Sequence, residues 1–158
     1  MKKNVIILLL AVMTVTFFSC KKKSSDDTTD STTAGFSLKF QGTTWTGTSY
    51  VAAHITFNNT TQITAYKSGT SDQIVVAFTG SATGTYTFND NNLGSAVIGS
   101  ITFSSLFSDI PVGSIVVTKY DVSKKLISGT FVFDGQSFGG TVYHITEGKF
   151  NNIPLTVN

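Results

Sequence analysis

The sequence predicts an all-β domain: an antiparallel β-sandwich of about ten short strands, largely hairpin-connected, with a closed antiparallel β-barrel as the alternative. Three observations carry this. Apolar residues alternate with polar ones in several short runs after residue 35, which is the period of a half-buried strand. No stretch there sustains the three-and-four apolar spacing of an amphipathic helix. Turn residues (Gly, Asn, Asp, Ser) punctuate the chain at intervals of about eight to twelve residues.

In chain order, the first element is MKKNVIILLLAVMTVTFFSC. Two lysines precede an apolar run, Val5 to Phe18, of about 14 residues, short of the roughly 20 that span a bilayer. It therefore reads as the apolar part of an export signal, residues 1–19. Ser19 precedes Cys20, the one cysteine of the chain, which has no partner for an intramolecular disulfide. The second element, residues 20–35, is Cys20 followed by KKKSSDDTTDSTTAG. It has no large apolar side chain, cannot offset the entropy of ordering, and is expected to be a flexible tether with a reach on the order of 20 Å.

The third element, residues 36–158, has the length of one domain. FSLKFQ puts Phe36, Leu38 and Phe40 on one face. VAAHITF puts Val51, Ala53, Ile55 and Phe57 on the more apolar face, with Ala52, His54 and Thr56 opposite. Further inward sets are Ile74, Val76 and Phe78; Val97, Ile101 and Phe103; and Ile127, Phe131 and Phe133. Asn58-Asn59, KSGTSD, GSATG, NDNNLG, DVSKK, Asp134-Gly135 and Glu147-Gly148 read as the turns between strands.

From Phe36 onward the chain carries six lysines, six acids and no arginine, so the domain is neutral. A nucleic-acid groove needs clustered cations, and nucleic acid is excluded as a partner. No cofactor is implied.

GQSFG, residues 135–139, fits the GxSxG pattern of serine hydrolases, with Asp134 before it and His144 after. That motif belongs on a strand-to-helix turn, whereas FVFD and GTVYHI flank it as strands. It is expected to be a hairpin loop, Asp134 to Gly140, with His144 too far down its strand to reach Ser137, and no catalytic residue is assigned. His54 and His144 are the only histidines and the domain has no cysteine, so no metal site is assigned. Both are expected to be exposed or half-buried on the less apolar face of their strands. Asp90-Asn91-Asn92-Leu93-Gly94 opens like a calcium loop, but Ile101 stands where a bidentate glutamate would close it. It reads as a turn. Asp72, Asp90, Asp109, Asp121, Asp134 and Glu147 lie in or beside predicted turns, where solvation is the ordinary expectation. The candidate ligand contacts are aromatic: Trp45, Tyr50, Tyr66 and Tyr143, which offer stacking faces to a glycan or a protein ligand.

Two resemblances extend this reading. The ending FFSCKKK resembles a bacterial lipobox of the Bacteroidetes type, which implies lipidation of Cys20 and a membrane partner held through the anchor. SSDD is similar to an acidic signal for the outer face of the outer membrane, which implies surface exposure; the periplasmic face is the alternative. Asp27-Thr28-Thr29 and Asp30-Ser31-Thr32 resemble O-glycosylation acceptors and nominate Thr28 and Ser31. The domain itself, through FSLKFQGTTWTG, ISGTFVF and ITEGKF, resembles an uncharacterised family of Bacteroidetes lipoproteins that share ISGTFxF and ITxGxF segments. That resemblance implies a β-rich cell-envelope domain with no assigned chemistry.

Overall fold

The computed structural model describes residues 33–89, 91–108 and 112–158. Residues 1–19, read above as an export signal, and Cys20, Thr28, Ser31, Asp90 and Asp109 lie outside them. Eleven strands are present among the described residues: β1 (Gly35–Phe40), β2 (Thr43–Thr46), β3 (Ser49–Ile55), β4 (Thr60–Tyr66), β5 (Gln73–Thr79), β6 (Gly84–Thr87), β7 (Leu93–Ile98), β8 (Ile101–Ser104), β9 (Val112–Asp121), β10 (Leu126–Ser137) and β11 (Val142–Val157). Single 3-10 turns follow β3 and β8. The last three strands are longer than the short strands expected, because each passes several neighbours.

The strands form two layers. β2-β1-β11-β10-β9-β6 make one and β3-β4-β5-β7-β8 the other, antiparallel throughout except at one seam. Consecutive hairpins supply the pairs β1–β2, β3–β4, β4–β5, β7–β8, β9–β10 and β10–β11. Two short seams join the layers. Leu155–Val157 of β11 run parallel to Ala52–His54 of β3, and Gln136 and Ser137 of β10 pair with Ser104 and Phe103 of β8. The molecule is thus sandwich-like, with both edge strands of the second layer, β3 and β8, joined to the central pair of the first, β11 and β10. The hydrogen-bonded path β11–β3–β4–β5–β7–β8–β10 returns to β11, which is the closure that the barrel alternative anticipates.

The core lies between the layers. Phe36, Leu38 and Phe40, then Ile74, Val76 and Phe78, then Ile127, Phe131 and Phe133 are buried, as their alternation predicts. Rings meet across the gap: Phe40 and Phe103 stack at 5.5 Å, and Phe78 lies 4.2 Å from Tyr86 of β6. Deleting any fully buried phenylalanine side chain here would cost about 3–5 kcal/mol.

β3 departs from expectation. Ala52 and His54 are buried, while Val51 and Phe57 are exposed and Ala53 and Ile55 only half-buried. Its register explains this: Ala52 sits opposite Ile63 of β4 and Leu155 of β11, where a small side chain fits, and His54 is opposite Thr61. The β7–β8 hairpin likewise turns at Gly99-Ser100 and buries Ala96 rather than Val97.

Two dipeptides expected as turns lie inside strands. Glu147 takes a left-handed φ of 51° within β11, and the register of both neighbours shifts there, so Glu147-Gly148 is a bulge. Gly148 is required by proximity, since a Cβ would stand 2.4 Å from the Phe131 carbonyl oxygen. Asn152 is a second left-handed residue, φ 46°, again at a register shift. These two interruptions are where β11 departs from a straight strand, and beyond them it reaches β3. Asp134-Gly135 is regular strand, and the hairpin tip is Phe138–Thr141, shorter than predicted.

Candidate functional site

The GQSFG hairpin comes first, because it gathers serine, histidine and aspartate. Asp134 of β10 stands directly opposite His144 of β11, and His144 Nδ1 meets Asp134 Oδ1 at 2.6 Å. Ser137 does not join them. Along a strand alternate residues face opposite sides, so Asp134 and Gln136 face solvent while Gly135 and Ser137 turn toward the core side. Gly135 is buried against Phe103, where a Cβ would approach a ring carbon to 2.6 Å. The arrangement therefore holds an exposed histidine–carboxylate pair with no nucleophile on its face. Hydrogen-bond contact between nucleophile and base, which an acyl transfer needs, is absent from this geometry.

The aromatic set separates. Trp45 is only 4% exposed, its ring edge-on to Phe36 and its Nε1–H donating to Asp72 Oδ2 at 2.9 Å. This corrects its assignment as a ligand contact, because both its faces and its N–H are committed to the interior. Tyr50 is half-buried and its hydroxyl donates to the Ala34 carbonyl at 2.8 Å, holding the chain at the start of β1. Tyr143 is half-buried between Phe40 and Phe103, at 5.8 and 5.1 Å. Tyr66 alone of the four is exposed. The exposed rings that sequence reasoning missed are phenylalanines: Phe57 (88%), Phe138 (85%) and Phe107, of which Phe107 and Phe138 pair at 4.5 Å. Phe138 sits inside GQSFG, at a tip that a strand-turn-strand reading marks as exposed. That was the available signal.

Asp72 is the second correction. It is buried rather than solvated, accepting from the Trp45 indole through Oδ2 and from the Gly99 backbone N–H through Oδ1, both at 2.9 Å. Those donors, Gly99 first and Trp45 second, hold its carboxyl below the ordinary aspartate value; desolvation opposes them and loses. It ties the β4–β5 loop to β2 and to the β7–β8 turn. Asp121 is the solvated counterpart. It caps the β9–β10 turn, accepting from the Lys124 N–H and the Ser123 hydroxyl, which also lower its pKa.

His54 is buried too, with Nδ1 3.0 Å from Thr61 Oγ1 and its ring edge-on to Tyr120 of β9. It bridges the layers. In NDNNLG the side-chain oxygens of Asn89 and Asn92 are taken by backbone: Asn89 Oδ1 accepts from the N–H of Asn91 and Asn92, and Asn92 Oδ1 from that of Thr79. Those residues make a turn. Among the described residues no group of three His, Cys, Asp or Glu side chains is placed to hold a metal ion, and no helix is long and apolar enough to cross a membrane.

A shallow pocket of about 300 Å³ opens at the start of β1, lined by Thr33, Ala34, Phe36, Thr46, Lys149 and Asn151 among others. Asn151 Nδ2 donates to the Thr33 carbonyl there, so with Tyr50 it fixes the chain just ahead of β1.

No curated protein and no solved structure matches the chain. A family model does match, over residues 32–154, from just ahead of β1 through most of β11. The chain belongs to that family, a domain of unknown function designated DUF6252.

Proposed function

We propose that the chain is a lipid-anchored lipoprotein of the bacterial cell envelope, held on the outer membrane and displayed at the cell surface, with a β domain that acts by structure or binding rather than catalysis. The observation that carries this reading is Cys20, the only cysteine, placed where a short apolar run ends and a purely polar tether begins. Two further features support it. The chain is captured at Thr33 and Ala34 by side chains from β11 and β3, so the polar tract ahead of it serves as a spacer. The polar groups with catalytic character are occupied structurally: Asp72 in a clamp, His54 in a layer bridge, and Asp134 with His144 on a face that Ser137 does not share.

Membrane fractionation tests the anchor. Wild-type protein should sediment with the envelope, and Cys20→Ala should be released into the soluble fraction; retention of the variant would contradict the reading. External protease that degrades the domain on intact cells would support surface display, and protection until the envelope is opened would assign the periplasmic face.

A second reading is a binding module for a glycan or peptide, favoured by the exposed Phe107–Phe138 pair. Aromatic rings held in solvent on two neighbouring loops offer a stacking surface. A glycan array probed with wild type and Phe138→Ser should show saturable binding that the substitution removes. Hydrolysis of an ester that depends on Ser137 would displace both readings.

A further inference from the structure

The outward faces of the two layers differ in charge. On β3, β4, β5, β7 and β8 the registers set four rows side by side. One is Val51, Thr64, Val75, Ser95 and Ser104; the next is Ala53, Gln62, Ala77 and Leu93. A third is Ser49, Tyr66, Gln73, Val97 and Thr102, and the fourth is Ile55, Thr60 and Thr79. None of these positions holds Asp, Glu, Lys, Arg or His. The opposite layer presents Lys39, Lys149, Glu147, Asp134 and His144 on its outward side.

We infer that this charge-free face is a docking surface for a second copy of the chain, the two sheets packing face to face about a two-fold axis. In such an interface each patch meets itself, so any uncompensated charge near the axis would face its own like. This face carries no such penalty, whereas the other layer would set its own charges together. Thr64 and Ser104 are buried and bonded within the sheet, but the exposed hydroxyls and amide of Ser49, Gln62, Thr79 and Thr102 both donate and accept, so they can pair with one another across the axis. Half-buried Val75, Val97 and Leu93, exposed Val51 and the exposed Tyr66 ring give the patch apolar area. Size is sufficient. Five strands about 4.8 Å apart and about six residues long cover roughly 500 Å² per copy, so a pair buries about 1,000 Å², the lower bound for a specific interface.

Disulfide trapping in native membranes tests this with the full chain, whose only cysteine is Cys20 and whose unsubstituted form supplies the background. Val51→Cys, Val75→Cys and Val97→Cys sample three strands of the face; Thr130→Cys, exposed on the other layer, is the control. After mild oxidation at least one of the three should give a band at twice the chain's mass that reductant removes, with none from Thr130→Cys. Adding Gln62→Glu, an isosteric change at an exposed position, puts like charges on both copies and should abolish that band while leaving Trp45 fluorescence unchanged. Absence of the band from all three positions would overturn the inference. So would an equal band from Thr130→Cys, or a band that survives Gln62→Glu.

Discussion

Asp72 and Asp134 are both turn-like aspartates in the sequence, both accept short hydrogen bonds, and they do different work. Asp72 is closed off from solvent and binds two donors distant in sequence, the Trp45 indole of β2 and the Gly99 amide of the β7–β8 turn. Asp134 faces water and meets one neighbour across a hairpin, His144, whose side chain is 66% exposed. The difference teaches that contact distance says little about energetic weight. The Asp134 contact is the shorter, at 2.6 Å against 2.9 Å, yet the surface pair is screened and loses little when broken. At Asp72 the cost of rupture is that of stranding the buried Trp45 donor and losing the bond to the Gly99 amide.

The largest expected effect is therefore Asp72→Ala, which leaves both the Trp45 and Gly99 N–H groups unpaired and should lower stability by about 2–4 kcal/mol. Urea unfolding followed through Trp45, the only tryptophan, reads it directly. Next comes Trp45→Phe, which keeps a ring against Phe36 but removes the donor to Asp72; about 1–3 kcal/mol is expected, measured by thermal unfolding in circular dichroism. A loss no greater than that of Asp134→Ala would erase the distinction between the sites.

Acid should separate them further. The folded-state pKa of Asp72 lies below its unfolded value, so its contribution is fully present above the unfolded pKa, near 4, and is lost as pH falls through the folded value. Wild type should thus lose more stability than Asp72→Asn on titration from about pH 5 toward pH 2. Parallel curves would show that the clamp does not favour the charged carboxylate. The smallest effect belongs to Asp134→Ala, within about 1 kcal/mol of wild type at neutral pH and smaller still in high salt.

The same contrast marks what was legible in the sequence. β1 was readable because its apolar residues fall on one parity alone, Phe36, Leu38 and Phe40, and β5 and β10 because their aromatic rings all fall on one parity, Phe78 with Ile74 and Val76, and Phe131 and Phe133 with Ile127. VAAHITF carries apolar residues on both parities, and the choice between them was made by Ile63, Thr61, Leu155 and Tyr120, which lie on other strands. No local pattern contains that information. Glu147-Gly148 and Asp134-Gly135 look alike as sequence, because acid followed by glycine serves turns, bulges and crowded strand positions equally. Only the neighbours, the Phe131 carbonyl for Gly148 and the Phe103 ring for Gly135, distinguish them. Trp45 illustrates the limit for the site. Its size suggested a platform, and the partner that commits it to the interior is Asp72, 27 residues away.

The central claim is that a lipid on Cys20 holds this β domain at the envelope, and the mass of the native mature protein tests it most directly. The account predicts a chain that begins at Cys20 and is heavier than its polypeptide by a diacylglycerol and acyl group, with any further mass traceable to Thr28 and Ser31. An unmodified N-terminal peptide, or cleavage at another residue, would contradict it.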